Sequence, residues 1–308
     1  MFLYGSMSIR KVSFDCVYSM SSATTRFITT FDLLKFVIVI FMIVDHIGLY
    51  IFPDEMWWRT FGRWLGPAWF ILVGYSRSRD LSAPIWIGGL ILVVTSLIAG
   101  SSLFPLNSLF TIIAIRMVID PVARFTFKSW ENMFLAMFVL TLLYIPFAFL
   151  LENSTPCLLA ALFGYVVRHL RDGDRGELPL FNHPRFPMVM LWTAVILGSL
   201  SQLAGLPLGP VQAVLMVLGL SSVFFFFPRL PVQEWPALTA RLPAQAVKLV
   251  QFCGRRTMEI YVGHLILFKL AALILAMAGS ANHIHHYGLF DWVWFYHDIP
   301  PVVQGKGE

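Results

Sequence analysis

Four polar residues occur in one long apolar stretch, FDLLKFVIVIFMIVDHIGLYIF, residues 31–52. Asp32 and Lys35 stand near its start, and Asp45-His46 lies well inside it. Charged and titratable side chains are expensive in hydrocarbon, so a membrane helix that keeps them usually needs them. A histidine titrates near neutral pH and can take a proton from a reacting group, which is the chemistry these residue types allow.

Helical geometry places three of these residues on one stripe. At 100° per residue, Lys35 and His46 lie within about 20° of one face, and Asp32 lies about 40° from His46. The 1.5 Å rise separates Lys35 from His46 by roughly 16 Å along the axis. Asp45 lies about 100° off the stripe, where it either flanks the histidine or pairs with a neighbouring helix. In a purely structural alternative, Asp32 caps the helix, Lys35 snorkels and Asp45-His46 marks the outer interface.

Composition indicates an integral membrane protein. The 308 residues are 58% hydrophobic and 13% charged, with mean hydropathy +0.74, against about 25% charged residues in an average soluble domain. The sequence predicts an all-α, polytopic membrane helical bundle of about nine to ten transmembrane helices. The nine apolar spans are residues 31–52, 61–76, 83–101, 106–120, 132–151, 156–169, 187–204, 209–227 and 257–278.

Every second segment that joins these spans is rich in lysine and arginine, and the segments between them hold few. The N-terminal segment is among the basic ones, which predicts a cytoplasmic N-terminus. We expect a cytoplasmic extension over residues 1–30, a transmembrane domain over 31–279 and a tail over 280–308 that lies at the periplasmic interface. The extension lacks a signal-peptide h-region, and Met20 opens a segment that reads like a natural start. The net charge of +5 is explained by cationic cytoplasmic loops, so no nucleic-acid partner is expected.

The first span resembles a known family. Asp32-Leu33-Leu34-Lys35, followed after ten residues by His46, is similar to the first helix of the acyltransferase-3 superfamily of membrane acyltransferases. The stretch over residues 31–80 is more similar to the TraX family of membrane pilin acetylases. Besides Asp45-His46, the motifs that carry this likeness are Phe52-Pro53-Asp54, Gly62-Arg63 and Pro67. The segment GRRTMEIYVGH, residues 254–264, resembles the last-helix pattern of the superfamily.

This resemblance implies transfer of an acyl group, expected to be acetyl, from coenzyme A to an amine or hydroxyl. His46 would be the general base and Asp45 would orient its ring. Lys35, Arg77 and Arg79 would bind the phosphates of acetyl-CoA, although arginines here also fit plain positive-inside charge. The expected partners are membrane lipid and an acceptor such as a pilin N-terminus, sugar, polysaccharide or lipid. The expected location is the bacterial inner membrane.

Other ionisable residues are further site candidates. Arg63 enters the second span near two tryptophans, where interfacial anchoring and acceptor binding are both plausible roles. Arg116 should face the bundle or pair with Asp120, four residues along its helix. In the last span, Tyr261 and His264 share a face. The remaining candidates there are Glu259, which is nearly opposite His264, and Lys269, which should point inward.

Two other interpretations compete with acyl transfer. Intramembrane charges also mark the pathways of proton-coupled transporters, but the halves of the chain show no paired repeat. In a non-catalytic envelope or pilus assembly protein, the polar stripe would be a helix-contact seam. A metal site at His283, His285 and His286 is not expected, because no cysteine or carboxylate completes the set.

Overall fold

The structure is a computed structural model that describes residues 27–100, 102–173 and 178–277. Most of the predicted N-terminal extension lies outside the described residues. So do the predicted interfacial tail and its three histidines.

The described chain folds into α-helices joined by short turns, as the sequence predicts. Their bounds are α1 (Thr30–Tyr50), α2 (Met56–Gly62), α3 (Gly66–Tyr75), α4 (Ala83–Ile98), α5 (Ser108–Thr126), α6 (Trp130–Leu142), α7 (Tyr144–Leu150), α8 (Ser154–Asp172), α9 (Phe186–Ala204), α10 (Pro210–Phe226), α11 (Pro236–Arg241), α12 (Ala244–Arg255) and α13 (Thr257–Met277). Short 3₁₀ turns over Arg63–Leu65, Pro179–Asn182 and Phe227–Arg229 connect some of them.

Several described helices are long and apolar enough to cross a bilayer. Four meet that description alone, over Thr30–Tyr50, Phe186–Ala204, Pro210–Arg229 and Thr257–Leu275. The pair α6–α7, bent by 53°, meets it jointly. The protein is therefore a multi-pass, all-α membrane protein. The predicted second span differs from the expectation, because it starts at Met56 and is divided by a 3₁₀ turn into α2 and α3.

Many basic residues of the described chain lie at one end of the bundle, the end that carries Lys35, here called the basic end, whereas Arg59 and Arg63 lie at Asp45. Lys35 Nζ donates to the Gly254 carbonyl at 3.2 Å, and Arg171 donates to the Pro228 carbonyl at 2.8 Å. These contacts join the start of α1 to the end of α12, and the end of α8 to the 3₁₀ turn that follows α10. The clustering agrees with the charge asymmetry that predicts a cytoplasmic location for this end.

Helices α3 and α8 cross with their backbones almost in contact. A Cβ added to Gly74 would overlap the Ala161 carbonyl, and one added to Gly164 would overlap the Ile71 carbonyl. Glycine at a crossing lets two membrane helices approach closely, so van der Waals packing replaces the hydrophobic effect that lipid does not provide. This helix pair is the centre of the larger apolar cluster, which includes Phe127, Phe186 and other residues of the flanking helices.

A second, smaller apolar cluster joins α4, α5 and α13 through Ile85, Leu92, Leu109, Ile113 and Leu265. Members of both clusters line one internal cavity. The two packed regions therefore form its walls, and α1 lies along it.

We expect Gly164→Ala to destabilise the protein by about 1–3 kcal/mol, because the added methyl group meets backbone that cannot move aside. Gly263→Ala in α13 is the matched control, since an added Cβ there meets nothing within 4 Å. Thermal unfolding of both variants in one detergent measures the difference. Equal melting temperatures would contradict the close crossing of α3 and α8.

Candidate active site

A cavity of about 390 Å³ extends through the bundle beside α1. Lys35 lines it at the basic end, and Asp45 and His46 line it further along the helix. The stripe expected from helical geometry thus faces an internal space, as it must if its polar groups are to avoid lipid. Asp32 is not among the residues that line the cavity.

His46 is 7% exposed and is hydrogen-bonded to a second histidine on the neighbouring helix α13. His46 Nδ1 lies 2.7 Å from His264 Nε2, and the two rings stack with centroids 4.9 Å apart. His264 Nδ1 in turn lies 2.7 Å from the Ile260 carbonyl oxygen, one helical turn earlier in α13. The first and last described helices are joined through these rings.

This chain of contacts determines the tautomers of the neutral rings. A carbonyl oxygen only accepts, so His264 Nδ1 carries a hydrogen and donates it to Ile260. His264 Nε2 then has a lone pair, and His46 Nδ1 must donate to it. His46 Nε2 is left with the free lone pair. The arrangement makes that nitrogen the proton acceptor of the pair.

Aromatic rings enclose the histidine pair. The rings of Tyr50 and Tyr261 lie 6.2 Å and 6.4 Å from His46, centroid to centroid. Phe268 packs edge-on against His264 at 5.8 Å. Such surroundings limit water around the pair and strengthen its hydrogen bonds.

Asp45 does not orient His46 as predicted; its carboxylate binds two arginines instead. Arg59 Nε lies 2.9 Å from Asp45 Oδ1, and Arg63 Nε lies 3.4 Å from the same oxygen. The physical reason is that adjacent side chains on a helix point about 100° apart. Gly62 allows this pairing, since a Cβ there would overlap the Asp45 backbone.

Arg63 also reaches α9, where its Nη1 donates to Gln202 Oε1 at 3.1 Å. The side chain is 15% exposed and lines the cavity. Interfacial anchoring therefore does not describe it, because the guanidinium faces polar groups inside the bundle.

Glu152 brings a further carboxylate to the cavity wall. Its Oε2 accepts hydrogen bonds from the Ser108 backbone nitrogen at 2.9 Å and from the Ser108 hydroxyl at 2.7 Å. Ser108 opens α5, so the carboxylate also stabilises a helix N-terminus. Glu152 and Ser108 both line the cavity near its His46 part, together with Tyr261.

Asp32 lies at the start of α1, where it forms a capping box with Thr29. Its carboxylate accepts from the Thr29 backbone nitrogen at 3.0 Å, while the Thr29 hydroxyl accepts from the Asp32 nitrogen at 3.1 Å. The capping alternative is confirmed for Asp32. Lys35, by contrast, lines the cavity.

The other predicted candidates lie outside the histidine site. Arg79 forms three hydrogen bonds to Asp120, and Arg116 faces the bundle as the sequence predicts. Arg116 Nη1 donates to the Asp80 carbonyl at 2.6 Å and lines the cavity. An arginine on a different segment has the better geometry, because both its Nε and Nη2 face the carboxylate.

The two remaining candidates in α13 lie where helical geometry predicts. Glu259 forms an exposed ion pair with Arg256 at 2.8 Å, away from His264. Lys269 points inward as predicted, is 7% exposed, and donates to the Ser96 hydroxyl.

Arg59, Glu152 and Gln202 were missed as site residues by sequence reasoning. Arg59 and Arg63 are four apart, which places both on one helix face and was a usable signal for a shared carboxylate. Glu152 directly follows an apolar span, but nothing in the sequence indicates which helix Gln202 would contact. Among residues 27–100, 102–173 and 178–277, no three His, Cys, Asp or Glu side chains are grouped to hold a metal ion.

We expect Asp45→Asn to destabilise the protein by about 3–5 kcal/mol, because Arg59 and Arg63 would share a buried site without their counter-charge. Glu259→Gln, which breaks an ion pair with both side chains about half exposed, should cost at most about 1 kcal/mol. Chemical unfolding monitored by tryptophan fluorescence compares the two variants. A similarly small loss of unfolding free energy in both variants would contradict a buried charge cluster at Asp45.

Comparison with known proteins places the chain in a family. The chain is 28% identical over 138 residues to an uncharacterised protein, RP591, of Rickettsia prowazekii (strain Madrid E). That alignment covers 45% of this chain and 56% of the relative. No solved structure matches the chain significantly. The family described as "TraX protein" matches residues 30–208, which is more than half of the chain and includes α1, the Asp45 cluster and Glu152. The protein therefore belongs to the TraX family.

Proposed function

We propose that the protein is a membrane acyltransferase that moves an acyl group, expected to be acetyl, from coenzyme A to an amine or hydroxyl, with His46 Nε2 as the general base. The observation that carries the proposal is the histidine pair. His264 sets the tautomer of His46, and the ring lines a cavity that extends to Lys35 at the basic end. Membership of the TraX family agrees with this chemistry.

The proposed reaction needs a single proton carrier. The acceptor nitrogen or oxygen attacks the thioester carbonyl as His46 Nε2 takes its proton, and a tetrahedral intermediate forms. When this intermediate collapses, the carbon–sulfur bond breaks and the new amide or ester remains. The proton on His46 Nε2 passes to the departing thiolate, which regenerates the neutral histidine pair and releases free coenzyme A.

His264 would act as a positioning residue in this scheme. Once His46 Nε2 gains a proton, the imidazolium still donates through Nδ1 to His264 Nε2, which disperses the charge. A hydrogen-bonded neutral imidazole is a weaker stabiliser than a carboxylate. It also adds no further buried anion beside the imidazolium besides Asp45, whose charge Arg59 and Arg63 offset.

The arginines beside Asp45 support the same step electrostatically. Arg59 and Arg63 line the cavity with His46 and share one carboxylate. Positive charge fixed beside a tetrahedral intermediate stabilises its oxyanion most where little water enters. Arg63 is the better placed candidate, because its contacts with Asp45 on α1 and Gln202 on α9 hold it in the cavity wall between the two helices.

The cavity suggests how the two substrates would approach. The donor would enter from the basic end, past Lys35, so that its thioester reaches His46 inside the membrane domain. The acceptor, a pilin N-terminus, sugar, polysaccharide or lipid, would approach from the far end or from the bilayer. We propose that this takes place in the bacterial inner membrane, with the basic end in the cytoplasm.

We expect His46→Ala to lower kcat for acetyl transfer by about 10²–10⁴-fold, because the acceptor would lose its base. Binding of coenzyme A should be unchanged. The measurement uses purified protein, acetyl-CoA with a labelled acetyl group and membrane extract as the acceptor source. Both thioester loss and label in the extract are followed, and the labelled product names the acceptor.

Two variants at position 264 separate positioning from folding. His264→Gln keeps an acceptor for His46 Nδ1, whereas His264→Leu removes it at similar size. We expect activity to fall little in the first and strongly in the second, with both rates measured at a temperature at which each variant remains folded. If wild-type protein binds no coenzyme A and releases no thiol, the proposal is wrong. A loss of stability without loss of rate in His46→Ala would instead favour a structural seam.

A further inference from the structure

A second, open cleft of about 470 Å³ lies at the basic end, outside the cavity that holds the histidine pair. Four arginines line it: Arg77, Arg79, Arg124 and Arg168. They come from the loop after α3, from α5 and from α8, so three separate parts of the chain bring cations to one place. Positive-inside loop charge alone requires no such convergence.

Two carboxylates in the cleft offset only part of this charge. Asp172 pairs with Arg77 at 3.0 Å, and Asp120 pairs with Arg79 at 3.1 Å. The Arg77 side chain is 50% exposed, and a pair that exposed to solvent is weak enough to rearrange for a stronger anion. With four arginines facing two aspartates, the cleft keeps a net positive charge.

The remaining two arginines are held differently. Arg168 Nη1 donates to the Ser76 carbonyl at 3.0 Å, which fixes the side chain without neutralising it. Arg124 is exposed on the cleft wall, and no carboxylate of the described chain pairs with it. Guanidinium groups bind phosphate oxygens in pairs of parallel hydrogen bonds, and a phosphate carries more charge and more acceptor oxygens than a carboxylate, so it suits several converging arginines.

The cleft adjoins the catalytic cavity through one residue. Ser76 lines the cavity, while its carbonyl accepts from Arg79 and Arg168, both of which line the cleft. An elongated ligand could therefore place anionic groups in the cleft and an uncharged arm in the cavity. A compact anion would occupy the cleft alone.

We propose that this cleft, through Arg124 and Arg168, binds phosphate groups. Resting on the function proposed above, we identify them as the phosphates of the acyl donor. The sequence prediction placed Arg77 and Arg79 at the donor, and the structure adds the two arginines that are not paired with a carboxylate. The headgroup of an anionic lipid has the same chemistry and is the alternative occupant.

The test compares full-length wild type with Arg124→Gln and Arg168→Gln. Arg241→Gln is the control, since Arg241 is an exposed arginine at the basic end outside the cleft. Binding of coenzyme A and of pantetheine, which lacks every phosphate, is measured in nanodiscs of zwitterionic lipid at low and moderate salt. The same proteins are then measured in nanodiscs that contain an anionic lipid.

We expect each cleft variant to weaken coenzyme A binding about 10-fold, with no effect on pantetheine and none from Arg241→Gln. The difference should shrink as salt rises, because exposed charges are screened. Acetyl-CoA turnover should show a raised KM and an unchanged kcat.

Three outcomes would overturn the proposal. Equal coenzyme A affinity in all variants would exclude the cleft as the donor site while leaving acyl transfer intact. If the cleft variants differed from wild type only in how anionic lipid changes their measured binding, the cleft would be assigned to a lipid headgroup. If wild-type protein bound no coenzyme A, both the donor assignment and the proposed function would be wrong. Normal coenzyme A binding without turnover would instead refute only the acyl transfer.

Discussion

The hydrogen bond between His46 and His264 is the contact on which the organisation of the site depends. A histidine deep in a membrane helix must find a partner, because lipid offers none for its ring nitrogens. His264 supplies that partner from α13, more than two hundred residues later in the chain. The two helices must therefore pack side by side, and the space they border with α3, α5 and α8 becomes the cavity.

The same requirement explains the charge cluster around Asp45. A lone buried carboxylate would be costly, and two arginines, one in α2 and one in the 3₁₀ turn after it, pair with this charge. Gly62 makes the approach possible by leaving room for the α1 backbone. The polar groups of α1 thus have separate assignments: Asp32 caps the helix, Lys35 and His46 face the cavity, and Asp45 binds arginines.

Close packing elsewhere keeps the cavity open. Glycines at the α3–α8 crossing bring those helices together so tightly that they form a rigid wall. The smaller apolar cluster of α4, α5 and α13 forms another. Members of both clusters line the cavity, so the polar groups of α1 face a space with largely apolar walls.

The sequence alone determined the class of the protein and the polar face of its first helix. Hydrophobic runs and the distribution of arginine and lysine need only local physics, so the multi-pass helical bundle and the basic end were predictable. The stripe of Lys35 and His46 was predictable as well, because helical periodicity sets it. The partners of Asp120 and His46 were not, since Arg79 and His264 come from distant segments. Only the packing of the helices decides which side chain reaches them, because side-chain direction and interhelical distance together determine which donor meets which acceptor.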